Sequence, residues 1–149
     1  MKKKVTWIIV ADGSRARVLA NDGPGKGLRP AIAGEFHHDA PPTHLLGTSA
    51  PGRVAPMAGA NRSAIQPHMD WHQFEKDKFG QEMAGLLNDA ADKKSYDNLI
   101  VVAPPRTLST LRQSLSAKAS DLIRAEIAKD LTHVPLREMP EYLKDVIAL

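Results

Sequence analysis

"VTWIIVADGSRARVLAN" (residues 5–21) decides the fold. Val5, Thr6, Trp7, Ile8, Ile9 and Val10 are strong strand formers, and "ARVLA" (16–20) returns as a second apolar run. Between them stands Asp12-Gly13, a favoured hairpin dipeptide because glycine takes a positive φ at no steric cost. The stretch therefore predicts a buried first strand, a tight turn and an antiparallel partner. Downstream, "NDGPGKGLRP" (21–30) holds three glycines and two prolines in ten residues and reads as a loop. "AIAGEF" (31–36) is a weaker third strand that would complete a meander.

Beyond it no element is convincing from His37 to Asp70. Five prolines and three glycines interrupt this span, and "GRVAPMAGANRS" (52–63) has no period of 2 or 3.6. A structureless stretch beyond ~15 residues is uncommon in a compact domain and is usually functional or disordered. Pattern returns with "DWHQFEKDKFGQEMAGLLNDAADK" (70–93). Asp70 and Gln73 make a capping box, and Trp71, Phe74, Phe79, Met83, Leu86, Leu87 and Ala90 form an apolar stripe at helical spacing. "YDNLIVVAPP" (96–105) is a short buried strand closed by two prolines. "PRTLSTLRQSL" (105–115) is a helix with Leu108, Leu111 and Leu115 on one face. "DLIRAEIAKDLT" (121–132) alternates as a strand does, with a helix as the alternative reading. A last helix starts near Pro135, carries Leu136, Met139, Leu143 and Ile147 at helical spacing, and is kinked or restarted by Pro140. The order β-β-β, long loop, α-β-α-β-α calls for a mixed sheet: an antiparallel meander first, then a parallel portion with right-handed crossovers.

The bulk numbers fit one domain. The chain has 149 residues, 42% hydrophobic and 25% charged, which is globular composition. It has no cysteine, so disulfides, thiolate metal sites and cysteine nucleophiles are excluded, in keeping with a reducing interior. Residues 1–70 carry nine Lys/Arg against five Asp/Glu, and residues 71–149 carry eleven against twelve. The N-terminal half is thus mildly basic, which permits a polyanionic partner without demanding one. The basic start before Val5 imitates a signal peptide, but the apolar run is short, ends in Asp12 and Arg15, and has no small-residue cleavage site after it. Nothing approaches the ~20 apolar residues of a membrane span. The expectation is a cytoplasmic protein with no membrane segment.

Five stretches run in order through most of the chain: "WIIVADGSRARVL" (7–19), "GRV" (52–54), "F…LLNDA" in the long helix, "LIVVAPPRTLSTLR" (99–112) and "AEIAKDLTHVP" (125–135). In that order they resemble the bacterial host-attachment protein family, which is in turn similar to the middle domain of archaeal and eukaryotic class-1 translation release factors. The resemblance implies an RNase H-like mixed α/β fold, one domain over residues 1–149 with a long flexible loop at about 37–69. Arg17 stands where the family has an arginine at the opening of the second strand. In "ANRSAI" the resemblance leads to a histidine after the arginine, where this chain has Ser63. In the release factors the loop region carries a Gly-Gly-Gln tip, and this sequence contains none. Its one Gly-Gln, Gly80-Gln81, falls inside the amphipathic helix. Peptide-release chemistry is therefore not carried over.

Arg53 and Arg62, on a span rich in turn formers, are the leading binding candidates, because a guanidinium fork matches phosphate or carboxylate. Arg17 and His68 are secondary candidates. His68 and His72 are four apart, but no glutamate sits between them in a metalloprotease arrangement and no third ligand has a fixed offset, so no metal site and no cofactor are expected. Asp12 ends the first strand, where a two-metal nuclease places a carboxylate, yet "LIVVAPP" offers no second one. It reads better as a turn residue, and no catalytic residue is assigned. "GPGKG" (23–27) precedes no helix and matches a phosphate cradle weakly. The functional expectation is a non-catalytic binding or accessory protein that associates with ribosome or RNA through the 40–69 loop. The alternatives are a hydrolase acting on nucleic acid or peptidyl-tRNA, and a protein-interaction module in attachment to host cells.

Overall fold

Strand β1 (Thr6–Ala11) is buried along its whole length, and Ile8, Ile9 and Val10 expose nothing to solvent. Successive side chains of a strand point to opposite faces, so a run of this kind must be covered on both. The rest of the chain supplies the two covers. The structure, a computed structural model, describes residues 4–38 and 71–149. It divides into one unit of Met1–His38 with Lys76–Leu149 and another of Asp39–Glu75. Of the second unit only residues 71–75, the opening turn of a helix, are described.

β1 pairs antiparallel with β2 (Arg15–Asn21) and parallel with β5 (Asn98–Val102), so Ile9 lies between Val18 and Val101. β5 pairs parallel with β6 (Ile123–Ile127). The sheet runs β3-β2-β1-β5-β6, where β3 is Arg29–Pro30, and β4 (Phe36–His37) also pairs with β2. It is a mixed sheet in an α/β fold, with the antiparallel meander in the first half and the parallel strands in the second.

Trp7, Ile9 and Ala11 face α1 (Trp71–Asp92) and α2 (Pro105–Ser114), in one cluster with Phe79, Met83, Leu87, Leu108 and Leu111. Ile8 and Val10 face the other way, in a second cluster with Leu19, Ile100, Leu131, Met139 and Leu143. The second cover is thin. It consists of the turn after β6, a 3₁₀ turn (Leu136–Glu138) and α4 (Met139–Leu143).

Local chemistry accounts for the departures from the sequence reading. The third strand expected over "AIAGEF" (31–36) does not form: residues 31–35 are a turn between two short strands, Arg29–Pro30 and Phe36–His37. Pro30 has no N–H with which to continue the ladder, and Gly34 turns the chain at φ 83°. Ser116 caps an unexpected short helix, α3 (Ala117–Asp121), by accepting from Ala119 N–H at 3.2 Å. Pro140 does restart the C-terminal helix, which ends at Leu143 and does not reach Ile147. The stripe on α1 is buried only from Phe79 onward. Trp71 and Phe74 pack edge-on at 5.6 Å and stay half exposed. The proposed cap Asp70 lies outside the described residues.

Two glycines are required for space rather than for φ. Gly13 is not among the positive-φ glycines, contrary to the hairpin reading; a Cβ there would stand 2.4 Å from Lys76 Cγ. Gly80 marks the close approach of α1 to α2, where a Cβ would meet Thr110 Cγ2 at 2.9 Å. Thr110 is β-branched and stiff at χ1, so it does not simply swing away. Gly80→Ala is expected to lower stability by about 1–2 kcal/mol despite the better helix propensity of alanine. Adding Thr110→Ser removes the crowding methyl group and should recover most of that loss in guanidinium unfolding. No recovery would mean that the contact is not the constraint.

Candidate functional site at the carboxyl edge of the sheet

In α/β sheets with parallel strands, ligands gather outside the carboxyl ends of those strands. Here the edge is built first by the hairpin turn. Asp12 Oδ1 accepts the N–H groups of Ser14 (2.8 Å) and Arg15 (2.9 Å), and its own N–H donates to Arg15 O. Asp12 is thus the turn residue that the sequence suggested. Its second oxygen, Oδ2, is left for another partner and accepts the Thr132 hydroxyl at 3.1 Å.

Thr132 arrives from across the sheet. After β6 the chain turns back, and Leu131 packs with Ile8, Val10 and Leu19. Asp130 Oδ1 accepts both the N–H (3.0 Å) and the hydroxyl (2.5 Å) of Thr132, which is buried. One hydroxyl proton cannot serve two carboxylates at once, so Thr132 links Asp12 and Asp130 as alternatives. His133 completes the group: ligand atoms of Asp12, Asp130 and His133 all lie within 4.8 Å of one another, with Asp130 and His133 exposed. Carboxylate oxygens with one imidazole form a set that a divalent cation accepts.

Charge at this edge is balanced locally. Partial burial pushes the Asp130 carboxyl up. The Thr132 hydrogen bonds, with His133 and Arg15 nearby, outweigh that and hold it below the usual aspartate range. Behind the turn, Arg17 Nη2 donates to the carbonyls of Leu131 (3.3 Å) and Val134. Its Nε is buried with no hydrogen-bond partner among the described residues. Burial lowers the Arg17 pKa, against the pull of Glu35.

The structure therefore places Arg17 as the prop of the 131–134 turn. Arg53, Arg62 and His68 lie outside the described residues, and with them any pairing of His68 and His72. The described residues that flank 39–75 in sequence, His38 and Lys76, both lie at this edge. His38 N–H donates to Ser14 O at 2.8 Å, and its ring packs on Phe79. Lys76, where the chain returns, packs its stem on Gly13. The sequence reading missed Asp130, Thr132 and His133. It sought a partner for Asp12 in β5, whereas the partner comes from the turn after β6. The available signal was "KDLTHVP" itself, an Asp with a hydroxyl two residues on.

The profile of a protein family described as "Protein required for attachment to host cells" matches residues 7–143. No curated protein sequence is a significant match. Among solved structures, an archaeal translation termination factor superposes with a TM-score of 0.48 and 13% identity, covering 85% of this chain and 30% of its own. Another, described only as an archaeal protein, gives a TM-score of 0.51 and 15% identity over 97% of this chain and 35% of its own. The chain thus spans about a third of the length of each, and the second likeness is one of fold alone. Among the described residues no helix is long and apolar enough to cross a membrane.

Because Asp130 titrates below its unfolded value, its charge contributes stability above ~3.9, the ordinary aspartate pKa, and loses it as pH falls through the folded value. Asp130→Asn keeps an oxygen for Thr132 and removes only the charge. Denaturant unfolding should find it less stable than the parent at pH 7, with a smaller deficit at pH 3. An equal deficit at both would assign the effect to the hydrogen bonds.

Proposed function

The chain belongs to the family of proteins required for attachment to host cells, and from that premise we propose that it is a non-catalytic accessory protein that binds RNA, ribosomal RNA in particular, through residues 40–69. One observation carries the proposal. The residues that flank the stretch with Arg53 and Arg62, His38 and Lys76, both lie on the same hairpin turn, His38 on Ser14 and Lys76 on Gly13. Residues 40–69 include both arginines and no carboxylate, so the segment presents net positive charge. Arginine forks pair with phosphate in two-point contacts, and attraction to a polyanion follows. Attachment is then an outcome of the process that this binding serves.

A non-catalytic role is supported by two further points. Arg17, the one described arginine among the candidates, is taken up by main-chain carbonyls. The single Gly-Gln pair sits in α1, where Gly80 is pressed against Thr110.

A second reading, metal-assisted hydrolysis of RNA, is favoured by one observation, the convergence of Asp12, Asp130 and His133. RNA cleavage that requires Mg2+ or Mn2+ and disappears in folded Asp130→Asn would replace the binding reading with this one.

The proposal is tested by co-sedimentation with ribosomes over a salt series, beside Arg53→Ala/Arg62→Ala. Pelleting should weaken as salt rises, with each phosphate contact adding about −0.7 to −0.9 to the log–log slope. The double variant should lose about 1–2 units of that slope. No pelleting at low salt, or pelleting that the variant shares, would sink the RNA reading and leave a protein partner in its place.

A further inference from the structure

The opposite edge of the sheet, at the amino ends of the parallel strands, holds a cavity of about 590 Å3. That volume suits a small organic ligand. Its lining includes Lys4, Lys26 and Arg124 together with Ile100, Val146 and Ile147. The "GPGKG" loop (23–27), which precedes no helix and so fails as a phosphate cradle by sequence, forms one wall.

The polar groups around the cavity are already arranged. Asn21 donates to Gly27 O (2.7 Å) and accepts from Gly23 N–H (3.0 Å), which pins the glycine loop. Gly23, Gly25 and Gly27 all have positive φ, with nothing within 4 Å of an added Cβ, so the loop needs glycine for its backbone path. Gly25 N–H donates to a Leu149 oxygen at 2.6 Å, which anchors the last residues as the facing wall. Asn98 donates to Thr6 Oγ1 (3.4 Å) and accepts from Arg124 Nε (2.6 Å). The one carboxylate side chain in the lining, Asp22, holds Arg29 through both oxygens, at 2.7 and 2.9 Å.

What is left over is cationic. Among the described residues Lys4 and Lys26 have no ion-pair partner, and Arg124 is engaged there only through Nε, by a neutral amide. The β5–β6 register slips between Leu99 and Ile100, where Ile123 and Ala125 take successive partners and Arg124 is the extra residue. A bulge of this kind re-aims one side chain of a strand, here the arginine that lines the cavity. Three cationic donors at a polar rim, over an apolar wall of Ile100, Val146 and Ile147, match a ligand with a charged head and an apolar body.

We infer that this cavity binds a phosphate ester of a small organic molecule of about mononucleotide size, its phosphate held by Lys4, Lys26 and Arg124. The site lies at the other end of the strands from the carboxyl edge and does not depend on the RNA reading.

The test is to titrate the isotope-labelled full chain with AMP, adenosine and inorganic phosphate while following backbone amide resonances. AMP should move the amides of Gly23, Gly25, Lys26, Asn98–Ile100, Arg124 and residues 146–148 in a saturable way. Adenosine should leave them in place, and inorganic phosphate should bind more weakly than AMP. Lys26→Gln/Arg124→Gln should weaken AMP by about tenfold or more, while Lys118→Gln on α3 leaves it unchanged. These are exposed side chains, and an unaltered melting temperature confirms that the variant is folded. No saturable shift at those amides would overturn the inference, as would equal weakening by Lys118→Gln. Phosphate binding as tightly as AMP would overturn the role given to the apolar wall.

Discussion

The structure depends on β1 being buried on both faces. Six residues with no polar side chain except Thr6 cannot meet water on either side, and each face demands its own cover. A β-meander alone would leave one face wet. The long helix α1 and α2 therefore close one side, while the short C-terminal turns close the other with Leu131, Met139 and Leu143. Placing β1 between an antiparallel and a parallel neighbour also fixes the mixed character of the sheet.

With both faces closed, chemistry is left to the two ends of the strands, and the two ends differ. At the carboxyl edge a crossing turn brings the Asp12 and Asp130 carboxylates together with His133, and Arg17 holds that turn from behind through main-chain carbonyls. At the amino edge Asn21 pins the glycine loop, Asn98 holds Arg124 through one nitrogen, and Lys4, Lys26 and Arg124 line a cavity. The same core thus presents two aspartates with a histidine at one end and three cationic side chains at the other. His38 and Lys76, which flank residues 39–75 in sequence, lie at the carboxyl edge.

Several elements were legible because they are local. The run 5–10, the hairpin at Asp12, the helix over 71–92, the strand at 98–102 and the helix from Pro105 each follow from periodicity and punctuation over a few residues. The alternation in "IRAEI" was enough for a strand at the sheet edge. The weak third strand failed for a local reason too, since Pro30 and Gly34 interrupt it. Trp71 and Phe74 fit the helical stripe but not the buried face, because spacing gives a side and not what lies beyond it.

By itself, then, the sequence determined the main elements and the mixed α/β class, the buried first strand and the membership in the host-attachment family, all carried by nearest-neighbour pattern and motif order, while the split of the third strand and the short α3 went unread. Only the tertiary structure decided which distant groups meet. Asp12 finds Asp130 and His133 because the chain after β6 crosses back over β1 to bury Leu131. Gly80 is needed because α2 happens to approach there, and Arg124 lines a cavity because one residue is inserted in the β5–β6 register. Periodicity records how a residue faces its own element. What lies opposite is set by how elements separated by a hundred residues pack, and no local pattern encodes that.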